Sequence, residues 1–87
     1  MERSLLSLLK EEDKLVRNIN GNSDMISRFE RRFEETSNIP YECKTKERDL
    51  KNYRALINDY KNDTESCKNK LDAVRDNLKR YINEMLK

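Results

Sequence analysis

The sequence contains no histidine and no tryptophan, and it has one glycine and one proline. Without histidine, the chain cannot build an imidazole general base, a Cys/His or Ser/His nucleophile pair, or a histidine-ligated metal site. A single glycine is too few for a phosphate-binding loop or a dinucleotide-binding fingerprint, because both use several. Two cysteines alone cannot complete a zinc site. We therefore expect no enzymatic activity, no cofactor and no metal.

Apolar residues are also scarce for the length of the chain. Of 87 residues, 34% are hydrophobic and 41% are charged. A chain this short buries only part of the surface that its unfolded form exposes. We expect residues 1–87 to form a single domain with a narrow core.

Charge of both signs is mixed along the chain. Lysine and arginine number 19 against 17 aspartates and glutamates, whereas a nucleic-acid surface would normally show a denser basic stripe. The apolar stretch near the start ends at Lys10, which is too short for a signal peptide or a membrane span. These observations predict a cytoplasmic protein with no nucleic-acid partner and no membrane insertion.

Apolar residues recur at spacings of three and four, which is the heptad pattern of helices that pack as coiled coils. No segment alternates as a strand would. The first series is Leu5, Leu8, Glu12, Leu15, Ile19, Asn22, Ile26, Phe29, Phe33 and Thr36. The second is Cys43, Lys46, Leu50, Tyr53, Ile57, Tyr60, Thr64, Cys67, Leu71, Val74, Leu78, Tyr81 and Met85. Both series predict long helices that meet along one seam.

The segment from Ser37 to Pro40 is the strongest break in this pattern, because proline disfavours helix at the preceding residue. The heptad phase continues through Gly21, so we expect that glycine inside a helix. A second break is predicted near Asn62, which could cap a new helix with Glu65 three residues later.

Two architectures follow from these breaks. One is a long hairpin with helices over 2–37 and 41–86. The other is a bundle with helices near 2–37, 41–61 and 64–86. A third apolar column at Leu9, Val16 and Ile82 favours contact with more than one neighbouring helix. We therefore predict an all-α antiparallel coiled-coil three-helix bundle, with the two-helix hairpin as the alternative and with a homodimer as another source of extra helices.

Within these helices, several short motifs resemble the tubulin-binding cofactor A family of three-helix tubulin-folding chaperones. That family opens its second helix with Pro-Tyr and an acidic residue, followed by lysine, glutamate and leucine at set spacings. The matching residues are Pro40, Tyr41, Glu42, Lys44, Glu47 and Leu50. The third-helix matches are Cys67, Leu71, Asp72, Leu78 and Lys79, and Lys10-Glu11 resembles a pair in the first helix.

This resemblance implies a cytoplasmic chaperone that captures folding intermediates of β-tubulin and uses no nucleotide. It also implies partner-binding roles for Tyr41, Lys44 and Glu47. Of the four tyrosines, Tyr41 is expected to be the most exposed, whereas Cys43 and Cys67 are expected to be core residues.

A second resemblance implies a different role. Residues 49–61 are similar to the third helix of the N-terminal domain of Vti-type SNAREs. The alternative function is therefore a coiled-coil assembly subunit or SNARE-type regulatory bundle that recruits a partner helix.

Overall fold

Two long antiparallel helices make up the fold. The computed structural model describes residues 4–86, which form α1 (Leu5–Ser37) and α2 (Lys44–Met85) joined by the loop 38–43. The hairpin measures 68 × 18 × 14 Å. Within residues 4–86 there is no strand, so the prediction of an all-α fold is confirmed.

Helix α1 begins where a serine satisfies a free backbone amide. The side chain of Ser4 accepts a hydrogen bond from the Ser7 amide at 3.1 Å, which is a common N-cap arrangement. Helix α1 continues through Gly21, as predicted, and a β-carbon added there would meet no atom within 4 Å. The helix ends at Ser37, whose hydroxyl donates to the Phe33 carbonyl at 2.9 Å.

Helix α2 runs unbroken through the point where a third helix was predicted to begin. The Thr64 hydroxyl donates to the Tyr60 carbonyl one turn earlier at 2.8 Å, so this polar side chain is satisfied inside the helix. Asp63 accepts a hydrogen bond from the Asn22 side-chain amide of α1 at 2.7 Å. The three-helix prediction, with its break between 61 and 64, is therefore wrong, and the two-helix hairpin is correct.

Among residues 4–86, the buried apolar side chains lie in the half of the hairpin near the chain termini. They form one cluster, against which Leu5, Val16 and Ile19 pack. Its members are Leu8, Leu15, Cys67, Leu71, Val74 and Leu78. Burial of each leucine here contributes about 1.5–3 kcal/mol, so this half holds most of the hydrophobic stabilisation.

The half near the loop is held by aromatic contacts between partly buried rings. The ring of Phe29 lies 6.2 Å from that of Tyr53 and 5.9 Å from that of Tyr60. The Arg54 guanidinium lies 5.5 Å from the centre of the Phe33 ring, a cation–π arrangement. The four aromatic rings occupy the predicted seam but remain partly open to solvent, whereas Arg54 lies beside the seam and is exposed.

The start of α2 differs from the sequence prediction. The helix begins at Lys44 rather than at residue 41, because Cys43 is its N-cap with extended backbone. Cys43 is consequently exposed, which corrects its assignment to the core, whereas Cys67 is buried as expected. The predicted start of the first helix at residue 2 lies outside the described residues.

Candidate partner-binding site

The loop that joins the two helices is ordered by backbone and side-chain hydrogen bonds at both ends. On the α1 side, the Asn38 amide donates to the Glu34 carbonyl at 3.1 Å, and the Ile39 amide donates to the Thr36 carbonyl at 3.2 Å. On the α2 side, the Cys43 sulfur accepts from the Lys46 amide at 3.4 Å. The loop therefore has capped ends and a defined path.

Lys46 ties this loop to α2. Its side chain is 7% exposed although it carries an ammonium group. The Nζ atom donates to the Ile39 carbonyl oxygen at 2.9 Å and to Glu42 Oε1 at 3.0 Å. A buried charge is tolerated only when it is paired and hydrogen-bonded, and both conditions are met. The sequence signal for this residue was its polar side chain at a seam position, but its contact with the loop could not be read from the sequence.

The three residues predicted to bind a partner lie at this tip of the hairpin. Tyr41 lies in the loop and is 65% exposed, as expected for the most exposed tyrosine. Lys44 and Glu47 are exposed in the first turn of α2, three residues apart, and so share one helix face. Glu47 also suits its position, because a negative charge is favourable near a helix N-terminus. The tip thus combines one aromatic ring with charges of both signs.

At the opposite end, near the termini, the hairpin exposes apolar side chains. We call this group the terminal apolar face, and its members are Leu6 (62% exposed), Leu9 (46%), Ile82 (49%), Met85 (67%) and Leu86 (80%). Leu9 and Ile82 belong to the third apolar column that predicted an additional helix. No such helix forms among residues 4–86, so Leu9 and Ile82 remain exposed, whereas Val16, the other member of the column, packs against the core cluster.

An open groove runs along one flank of the hairpin in the terminal half. It has a volume of about 530 Å³, and the buried Cys67 lies in its lining. Lys10, Lys14 and Lys70 line it together with Glu11 and Asp63. Because lysines and carboxylates alternate there, the groove has no field of a single sign that would select a charged ligand.

Two properties of residues 4–86 bear on membranes and metals. Neither helix is apolar enough over a sufficient length to cross a bilayer. No cluster of three or more cysteine, aspartate or glutamate side chains in this part of the chain could hold a metal ion.

Fold and surface together define the class: an antiparallel helical hairpin with an ordered, charged tip and an apolar face at its terminal end. Comparison of the chain with protein-family models, curated proteins and solved structures finds no match. The resemblance to tubulin-binding cofactor A consequently rests on the quoted residues alone.

Proposed function

We propose that this hairpin is a non-enzymatic protein-binding module whose tip captures a folding intermediate of β-tubulin. The observation that carries the proposal is Tyr41, which is 65% exposed in an ordered loop. Tyrosine is enriched among the residues that dominate binding energy, since its ring offers a large contact area at a low cost in conformational entropy. Lys44 and Glu47 beside it supply charges that orient a partner.

Order in the loop supports this role for Tyr41. The Lys46 side chain binds the carbonyl of Ile39 and the carboxylate of Glu42, the residues that flank Pro40 and Tyr41. A loop held in one conformation loses less entropy when a partner binds. The tip therefore offers a preorganised contact in which the aromatic ring is already presented to solvent.

The proposed mechanism uses binding alone. A folding intermediate exposes apolar surface that its native state buries. The tyrosine ring would cover part of that surface while the charged helical faces keep the complex in solution. Release would follow when the client buries the same surface in its own fold, so no nucleotide is needed.

The proposal is tested on a native gel by diluting purified β-tubulin from denaturant into a solution of the purified 87-residue chain. We expect a complex with the wild-type chain and an affinity about tenfold lower for Tyr41→Ala, the effect of a contact worth about 1.4 kcal/mol. Lys44→Glu should also weaken the complex. Lys51→Glu, which makes the same charge change on an exposed residue further along α2, should not.

Circular dichroism establishes that each variant keeps its helices. Failure of the wild-type chain to bind β-tubulin would overturn the client assignment. Binding that is unchanged in both Tyr41→Ala and Lys44→Glu would show that the tip is not the binding site.

A further inference from the structure

The terminal apolar face is large for a chain with so small a core. Its five side chains are between 46% and 80% exposed and leave on the order of 500 Å² of apolar surface in contact with water, as much as the largest patches on typical monomers. Leu6 and Leu9 come from α1, Ile82 and Met85 come from the end of α2, and Leu86 is the residue that caps α2. The face therefore spans both helices at one end of the hairpin.

The heptad register places this face beside the core. In heptad notation the seam residues are positions a and d, and Leu8 and Tyr81 are d positions. Leu9 and Ile82 directly follow them and are therefore e positions. In an antiparallel pair the e positions of both helices lie on the same flank. The groove lined by Glu11, Asn18 and Lys70 lies on the other flank. The exposed apolar column thus continues the core on one flank only.

We propose that a second copy of this chain covers the terminal apolar face and forms a side-by-side four-helix dimer. A face shared by two helices can meet its own copy, so that the leucines of α1 pack against Ile82 of α2 and the Leu86 that follows it in the other chain. Two such faces together present about 1,000 Å² of apolar surface, which is close to the lower limit of about 1,000–1,200 Å² for specific interfaces. Each helix then has two antiparallel neighbours, as in four-helix bundles.

Charge decides how the two copies are oriented. Beyond the apolar residues, the same flank of α1 carries Asp13 in the terminal half, whereas that of α2 carries three bases, Lys68, Arg75 and Lys79, against two acids, Glu65 and Asp72. A two-fold axis along the hairpin brings α1 of one copy against α2 of the other, so that acidic and basic flanks meet. An axis across the hairpin would instead place α2 against α2, and the basic flanks would repel each other. The side-by-side arrangement is therefore the favoured one.

Sedimentation equilibrium of the full chain over a range of concentrations tests the dimer. We expect a monomer–dimer equilibrium with the wild-type chain and a dissociation constant at least tenfold higher for Ile82→Lys. Ile82 is 49% exposed, so the hairpin itself should tolerate the change. The matched control is Leu56→Lys, at a 38% exposed apolar residue outside the face, which should leave the dissociation constant unchanged.

The exposed Cys43 at the tip reports the orientation. A spin label on this thiol should give a distance below about 30 Å between the two copies, because adjacent helices in a bundle are 8–10 Å apart. A crosswise dimer would instead hold the tips apart by more than the 68 Å length of the hairpin.

Three results would overturn the inference. These are a monomer at every concentration, a dimer indifferent to Ile82→Lys, and a long distance between the labels. The β-tubulin assay concerns the opposite end of the hairpin, so failure of one proposal is distinguishable from failure of the other.

Discussion

Lys46 shows how one polar residue in an apolar seam can define a loop. Its ammonium group donates hydrogen bonds to the Ile39 carbonyl and to the Glu42 carboxylate, while the side chain of Glu42 as a whole remains 76% exposed. The ion pair is thus buried on one side only. The main effect of the ion pair is to hold the loop in one conformation. Its direct contribution to the free energy of folding is small, because a pair with one solvated partner gains little Coulomb energy.

Replacing Lys46 with methionine should lower the free energy of unfolding by about 1–2 kcal/mol. Methionine keeps the apolar stem but leaves the Ile39 carbonyl without its charged donor, and hydrogen bonds to charged groups contribute about 1.5–3 kcal/mol. Urea denaturation measures the change. Lys44→Met, two residues earlier and exposed, is the control and should stay within about 0.5 kcal/mol of wild type. Equal stabilities for the two variants would contradict the role of Lys46 in the loop.

Leu71 and Asn69 provide a second comparison between a core and a surface residue. Leu71 is 7% exposed in the core cluster, whereas Asn69 faces solvent on the same helix. Leu71→Asp should be far more destabilising than Asn69→Asp, because it removes about 1.5–3 kcal/mol of apolar burial and also places a charge in the core. Similar melting temperatures for the two variants would show that the register of α2 is wrong.

At the scale of the helices, the seam changes character along its length. The terminal half is aliphatic and closed, a polar Asn22–Asp63 contact crosses the middle, and the half near the loop is aromatic and partly open. Two further ion pairs, Glu12–Arg75 and Glu30–Lys61, join the helices at 3.2 and 3.8 Å. All of these contacts agree with one antiparallel register.

Gly21 lowers the stability of α1, and no steric contact requires a glycine at this position. Its backbone is helical, and a β-carbon there would meet open space. Gly21→Ala should therefore raise the free energy of unfolding by about 0.5–1 kcal/mol, because alanine loses less conformational entropy than glycine when the helix forms. The reverse change at an exposed position of α2, Ala73→Gly, should lower it by a similar amount. Thermal unfolding followed by circular dichroism compares the two, and a destabilised Gly21→Ala variant would indicate that residue 21 is not in open helix.

At the scale of the whole molecule, the hairpin is long and thin rather than compact. The radius of gyration is 19.4 Å, whereas a compact domain of this size would have about 12 Å. Two helices alone leave much of each surface in water, which is consistent with the high fraction of charged residues. The shape keeps the tip and the terminal apolar face at opposite ends of the molecule.

The unbroken α2 also keeps the two cysteine thiols too far apart to form a disulfide. Cys43 and Cys67 are 24 residues apart in the sequence, and at 1.5 Å per residue the helix separates them by about 36 Å. A disulfide needs Cα atoms within about 7 Å, so no bridge can form within one chain. Mass spectrometry of the folded monomer after mild oxidation should find both thiols unlinked, and an internal crosslink between them would contradict a continuous α2.

Much of this architecture can be predicted from residues that are close together in the sequence. The heptad spacing predicts helices, and Pro40 predicts where the chain reverses, because both effects depend on residues within one or two turns of each other. The confirmed exposure of Tyr41 follows in the same way from its position beside the turn. Partner binding by Tyr41, Lys44 and Glu47 stays a prediction, since exposure alone does not name what is bound.

Other features depended on residues far apart in the sequence. Asn62 could have capped a new helix, but α2 continues through it, and there Asp63 accepts a hydrogen bond from Asn22 and Thr64 donates one to the Tyr60 carbonyl. Periodicity assigned Cys43 to the core, yet burial requires an opposing side chain, and at the tip the helices have already separated into the loop. The third apolar column predicts that a further helix packs on it, but it does not indicate whether that helix belongs to the same chain or to another. The packed hairpin of residues 4–86 shows that Leu9 and Ile82 in this column stay exposed, because two helices can cover just one face of each other.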